Sequence, residues 1–139
     1  MVNHLSNQLM VNEFHESFGI DREERQQLSL ALIHEEFIEV SDELYTKVDL
    51  SSLPPTLPKP KSYKEIDREA LAKELADLLY VTYGTADVFG IDLDEAYRAV
   101  HESNMTKLDD NGKPVLREDG KVLKSENYKE PDLASAVQR

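Results

Sequence analysis

Apolar residues recur at helical spacing through most of this chain. Leu5, Leu9, Met10, Phe14 and Phe18 follow one another at steps of one to four residues, close to one helix face, and predict a first helix over residues 3–18. Gly19 stands where a C-terminal cap glycine belongs. Asp21-x-x-Glu24 is a capping-box pattern and opens a second helix, predicted to reach Val48. Ser62-x-x-Glu65 repeats that pattern ahead of a third helix running to Phe89, with Gly90 as its stop. Gly84 inside that helix costs about 1 kcal/mol against Ala, so another backbone or a ligand is expected to approach closely there. Asp92-x-x-Glu95 caps a fourth helix, extending through Asn104.

The periodicity breaks twice. Residues 49–61 hold Pro54, Pro55, Pro58 and Pro60 and cannot be helical, which predicts an exposed, extended connection. After residue 108, Lys113–Arg117 and Lys121–Lys124 flank Glu118-Asp119-Gly120, a hairpin signal. A lone hairpin is marginal in water, so it is expected to pack on the helices or on another subunit. The last six residues read as frayed. The fold class is therefore all-α: a four- to five-helix bundle in one domain spanning 1–139. Its helical core covers about 3–107 and its hairpin tail about 108–133.

The polar positions inside the apolar stripes carry the chemistry. Glu36/Glu39 and Glu74/Asp77 are acid–x–x–acid pairs, and residues three apart on a helix are neighbours. Glu35, Glu36 and Glu39 share their arc of the second helix with Leu28 and Leu32. Glu74 and Asp77 share theirs with Ala70, Leu71, Leu78 and Val81. Such stripes face the core, where carboxylates are rare unless paired. No basic residue lies within either arc. A bound cation is then the economical way to hold the acids, and an all-oxygen donor set suits Mg²⁺ or Mn²⁺ over softer ions.

Charge and composition narrow the partners. The chain has 139 residues, a formal charge of −12 and no cysteine. The charge argues against nucleic acid and against an anionic membrane surface. The lack of cysteine removes disulfides, thiolate metal sites and a Cys nucleophile. No run of residues is long and apolar enough to span a bilayer, and Met1-Val2-Asn3-His4 lacks a signal-peptide pattern, so the cytoplasm is the expected compartment.

Two other metal sites fail on spacing. A ferritin-like di-iron centre needs Glu-x-x-His, and none of the four histidines follows a Glu by three residues. A calcium loop needs oxygen donors on a loop, and these acids are on helices. A Mg²⁺ site shared with substrate phosphates remains, suited to attack of water on a phosphoanhydride. Near the acids, Phe14, Phe18, Tyr80 and Tyr83 could stack a base. His15 could contact one, though a His between two Phe is more often a packed residue. Arg98, Lys113 and Lys124 are further cations for phosphate.

Glu35-Glu36-x-x-Glu39 followed by Glu74-x-x-Asp77 resembles the motif of the all-α nucleoside triphosphate pyrophosphohydrolases, which include MazG-like enzymes and dimeric dUTPases. Phe14-His15-x-x-Phe18-Gly19, Asn104-Met105-Thr106-Lys107-Leu108, Asp119-Gly120-Lys121-Val122-Leu123-Lys124 and Pro131-Asp132-Leu133 look like the phosphoribosyl-ATP pyrophosphohydrolase-like branch. The resemblance covers about residues 11 to 133. The proline-rich insert makes the Glu39–Glu74 spacing longer than in compact MazG domains.

The resemblance implies hydrolysis of an NTP or dNTP between the α- and β-phosphates. Glu36, Glu39, Glu74 and Asp77 would hold Mg²⁺. Glu35 would help hold a second ion, or orient and deprotonate the attacking water. Asn104 and Lys107 would contact phosphate or sugar, alongside His15 and Tyr80 as substrate-binding residues. A homodimer, or a dimer of dimers, is expected, with the hairpin as a swapped or interface element. The expected role is dNTP house-cleaning. Phosphoribosyl-ATP is the runner-up substrate, and the further alternatives are a non-catalytic nucleotide-binding module and a helical dimerisation module with solvated acids.

Overall fold

A computed structural model describes residues 5–137. Among them are four α-helices and one two-stranded hairpin: α1 (Asn7–Ser17), α2 (Arg22–Leu44), α3 (Arg68–Val88), α4 (Leu93–Met105), β1 (Val115–Leu116) and β2 (Val122–Leu123). The all-α class and the C-terminal hairpin are as the sequence predicts. The chain gathers into two compact units, one of residues 11–89 and a second formed before Val11 and after Phe89.

In the first unit the helix ends follow local chemistry. Gly19 takes φ +62°. Its N–H donates to Glu16 O at 3.2 Å, and the Ile20 N–H donates to His15 O at 2.9 Å. This pair of bonds is a Schellman cap, satisfying carbonyls that the helix end would orphan. Asp21 then caps α2, its side chain accepting from the Glu24 N–H at 3.0 Å. The predicted start of α1 at residue 3 lies outside the described residues.

Two predicted boundaries move. α2 stops at Leu44 rather than Val48 because the chain turns back on itself. The Thr46 N–H donates to Lys59 O, the Lys61 N–H to Leu44 O, and Asp49 and Thr56 exchange both backbone bonds at 3.0 Å. The proline-rich segment is exposed and extended as expected, and it also folds back as the tip and return leg of an arm. Its prolines cannot donate, but the intervening Lys59 and Lys61 amides can. Leu53 at the tip is 94% exposed. α3 starts at Arg68, not after Ser62. The Ser62 N–H and Oγ do bond Glu65 Oε1, yet they close only a 3₁₀ turn, Tyr63–Glu65. Asp67 is the true cap and accepts from the Glu69 and Ala70 amides.

In the second unit Gln8 is 2% exposed. Its Oε1 accepts from the Leu93 N–H at 3.1 Å, while its own N–H donates to Asp94 Oδ2. Gln8 and the cap residue Asp92 together serve the start of α4. The tail returns to α4: Ser103 Oγ donates to Lys129 O at 2.6 Å, and the Asp92 N–H donates to Ala136 O at 2.8 Å. Residues Ala134–Val137 form a 3₁₀ turn with Ala136 buried. The expectation of a frayed end therefore fails over these residues, because a backbone bond and a buried methyl hold them. The hairpin pairs Val115 with Leu123 and Leu116 with Val122, and both strands are exposed.

Candidate metal centre

α2 and α3 pack against each other. Their contact brings the two acid pairs to one place. Glu36, Glu39, Glu74 and Asp77 each offer a carboxylate oxygen, and these four atoms lie within 4.8 Å of one another. Glu36, Glu74 and Asp77 are half-buried and Glu39 is exposed. The stripes that carry them are not a sealed core, since Leu28 on the same arc is half exposed. Unit charges about 4 Å apart repel by roughly 4 kcal/mol at an effective dielectric of 20. The cluster must answer that repulsion.

Two answers are visible, and a third is left open. First, Glu39 holds its proton to higher pH than an ordinary carboxyl: a side-chain hydrogen bond with Glu74 and the nearby charge of Glu36 push its pKa up to about 7. Second, Lys73 Nζ lies 2.7 Å from Asp77 Oδ2 and 3.5 Å from Glu74 Oε1. The expectation that no basic residue serves the acids is therefore corrected. The Lys73 backbone stands outside the apolar arc, but its long side chain carries the ammonium back to the acids. Third, Glu36 Oε2 and Glu74 Oε2 are buried and have no hydrogen-bond partner. Two orphaned carboxylate oxygens beside two more acids fit a hard divalent cation, which would satisfy them directly. Glu35 is exposed on α2, one turn before Glu39, and is not one of the four clustered acids.

An aromatic corner lies in the same unit. Phe14 packs on Phe18 with ring centroids 4.5 Å apart and meets Tyr80 edge-on at 5.6 Å. Tyr80 follows Asp77 by three residues on α3, so the two are neighbours on the helix surface. Phe14, His15, Arg25 and Tyr80 line a cavity of about 30 Å³, room for a water rather than a base.

His15 is 4% exposed and held within the unit, its Nδ1 2.7 Å from Asp87 Oδ2. Arg22 completes the group, donating from Nε to Asp87 Oδ2 at 3.1 Å and from Nη2 to Oδ1 at 3.2 Å. A Cβ placed on Gly84 would stand 3.4 Å from His15 Nε2. The close approach expected at Gly84 is thus to an imidazole, not to a ligand or a second backbone. Asn104 and Lys107 belong to the second unit. Asn104 is exposed in the last turn of α4. Lys107 is half-buried beyond that helix, its N–H bonded to Asn104 O at 3.1 Å.

The sequence reading missed Lys73, Arg22 and Asp87. A signal existed for Lys73, which precedes Asp77 by four residues on one helix. None existed for Arg22 and Asp87, which are 65 residues apart.

The family model described as phosphoribosyl-ATP pyrophosphohydrolase matches residues 8–104. No curated protein matches the chain significantly. The match spans α1 to α4 and includes both acid pairs. Well over half of the sequence is covered, and the chain belongs to the phosphoribosyl-ATP pyrophosphohydrolase family, within the MazG-like all-α NTP pyrophosphohydrolases.

Proposed function

We propose that this pyrophosphohydrolase cleaves a ribo- or deoxyribonucleoside triphosphate between the α- and β-phosphates, releasing a monophosphate and pyrophosphate, with Mg²⁺ as its ion and Mn²⁺ as a substitute. The observation that carries the reading is the four-carboxylate cluster with its two orphaned buried oxygens. Glu36, Glu39, Glu74 and Asp77 would hold the ion. When bound, it would polarise phosphoryl oxygens and lower the pKa of a water. Glu35, exposed beside this set, is the residue to orient that water and take its proton. Tyr80, partly exposed on α3, is the residue to stack the base. The assignment of Asn104 and Lys107 to phosphate or sugar rests on the sequence resemblance.

A homodimer belongs to this reading. Leu28, Phe37, Ile38, Leu75 and Leu79 on α2 and α3 are all exposed. A second copy packed on these two helices would cover them. The role we assign is removal of unwanted nucleotides from the pool.

The experiment is pyrophosphate release from each NTP and dNTP, with Mg²⁺, with Mn²⁺ and with EDTA. Metal-dependent release, with monophosphate as co-product, is expected from one or a few nucleotides. The family match favours one second reading, phosphoribosyl-ATP as substrate. Turnover of that compound with none of the nucleotides would replace the first reading by the second.

A further inference from the structure

Lys73 is the cation already at the acid cluster. Its ammonium is 2.7 Å from Asp77 and 3.5 Å from Glu74, two of the four carboxylates gathered there. A divalent ion would draw on the same two carboxylate groups. Two cations on one carboxylate repel each other, so the ammonium and the ion each weaken the other's hold on Asp77. We propose that Lys73 is a built-in competitor of the metal: it holds Asp77 in the metal-free protein, gives way when the ion binds, and so sets the affinity of the site. This rests on the metal-centre reading above.

Exposure shows why the exchange is feasible. The Lys73 side chain is 68% exposed and its stem is flexible. An exposed ion pair is weak, so little is lost when it breaks, and the released ammonium passes straight into water. The other acid–base group in this unit has the opposite character. Asp87 is 1% exposed and receives two guanidinium bonds from Arg22 along with the His15 contact, an arrangement costly to open. One acid is therefore locked and the other provisionally occupied. The provisional cation also offsets repulsion among acids that must stay close with no ion between them.

The test is Mn²⁺ binding to the full chain without nucleotide, by titration calorimetry, together with melting in EDTA. The proteins are wild type, Lys73→Met and Lys64→Met. The last removes an equal charge from the turn ahead of α3. Lys73→Met is expected to bind Mn²⁺ about three- to tenfold tighter than wild type, as loss of one nearby exposed charge implies. It is also expected to melt lower in EDTA, with the difference vanishing at saturating Mn²⁺. Unchanged affinity in Lys73→Met would overturn the proposal while leaving the metal centre standing. Equal tightening in Lys64→Met would overturn it too, since net charge alone would then account for the effect. Absence of Mn²⁺ binding in wild type would remove both the proposal and the metal reading beneath it.

Discussion

His15 Nδ1 lies 2.7 Å from Asp87 Oδ2, and this contact joins α1 to the last turn of α3. Both groups are buried, and Arg22 from the start of α2 bonds the same carboxylate. One side chain therefore ties three helices of the first unit. Asp87→Ala would leave a buried imidazole without its partner, at a cost on the order of 1–3 kcal/mol. Urea denaturation of the metal-free protein would read this loss. A midpoint equal to wild type would show that the contact contributes nothing net. Metal binding is expected to survive in this variant, because none of the four clustered acids is touched.

Gly84 sits against the same imidazole. A Cβ there would meet His15 Nε2 at 3.4 Å and Cε1 at 3.5 Å, at the tight edge of ordinary contact. Ala in a helix interior is better than Gly by about 1 kcal/mol. Gly84→Ala is therefore expected to raise stability by about 0.5–1 kcal/mol, the propensity gain outweighing a small displacement of the ring. Gly84→Val adds two methyl groups beyond that Cβ, against His15 and Val11, and is expected to lower it by about 1–3 kcal/mol. Thermal melts of both variants decide the matter. Destabilisation by Ala would mean that the imidazole, pinned by Asp87, cannot give.

These two sites show where sequence reading reaches its limit. Gly19, Asp21 and Asp92 act as read because a cap is settled by residues within one helical turn. Glu36/Glu39 and Glu74/Asp77 were readable for the same reason, since three-residue spacing fixes a shared face. The end of α2 was not, because it depends on backbone bonds from Leu44–Asp49 to Thr56–Lys61. The docked turn at Ala134–Val137 was missed on similar grounds, its anchor being Asp92. Ser62 misled in another way: its reciprocal bonds with Glu65 are real, but Asp67 offers a cap five residues later and α3 starts there. A helical wheel places Cβ atoms, and the Lys73 ammonium lies a full side chain beyond its own.

Substitutions at the acid cluster should separate folding from metal binding. Glu36→Gln and Asp77→Asn each remove a charge from a crowded set while keeping the side chain's shape. Both are expected to fold, to bind Mn²⁺ at least tenfold more weakly, and to lose pyrophosphohydrolase turnover. Without metal, relief of repulsion is expected to raise the melting temperature of Glu36→Gln. Asp77→Asn is expected to gain less, because it also gives up its bond to Lys73. Full activity in either variant would remove that residue from the ion's ligands.

The raised carboxyl of Glu39 implies a pH dependence for the metal-free protein close to neutrality. Its carboxyl is raised from the ordinary 4.5 to about 7, first by its hydrogen bond to Glu74 and then by the charge of Glu36. A raised carboxyl binds its proton more tightly in the folded chain than in the unfolded one. The stability linked to it is therefore complete below about pH 4.5 and is lost as pH climbs through about 7. Asp49, Glu65 and Asp119 are shifted the other way, downward, each chiefly by a side-chain hydrogen bond: Ser51 for Asp49, Ser62 for Glu65 and Arg117 for Asp119. Their linked stability is lost only as pH falls below the ordinary carboxylate range, so the two windows do not overlap. In EDTA the melting temperature is expected to fall between about pH 5 and pH 8, and Glu39→Gln, which cannot ionise, is expected to flatten that slope. A divalent ion must displace the same proton, so Mn²⁺ affinity should rise over this interval. A melting temperature in EDTA that rises from pH 5 to pH 8 would show that Glu39 is already ionised in the folded protein and that its proton does not hold the cluster together.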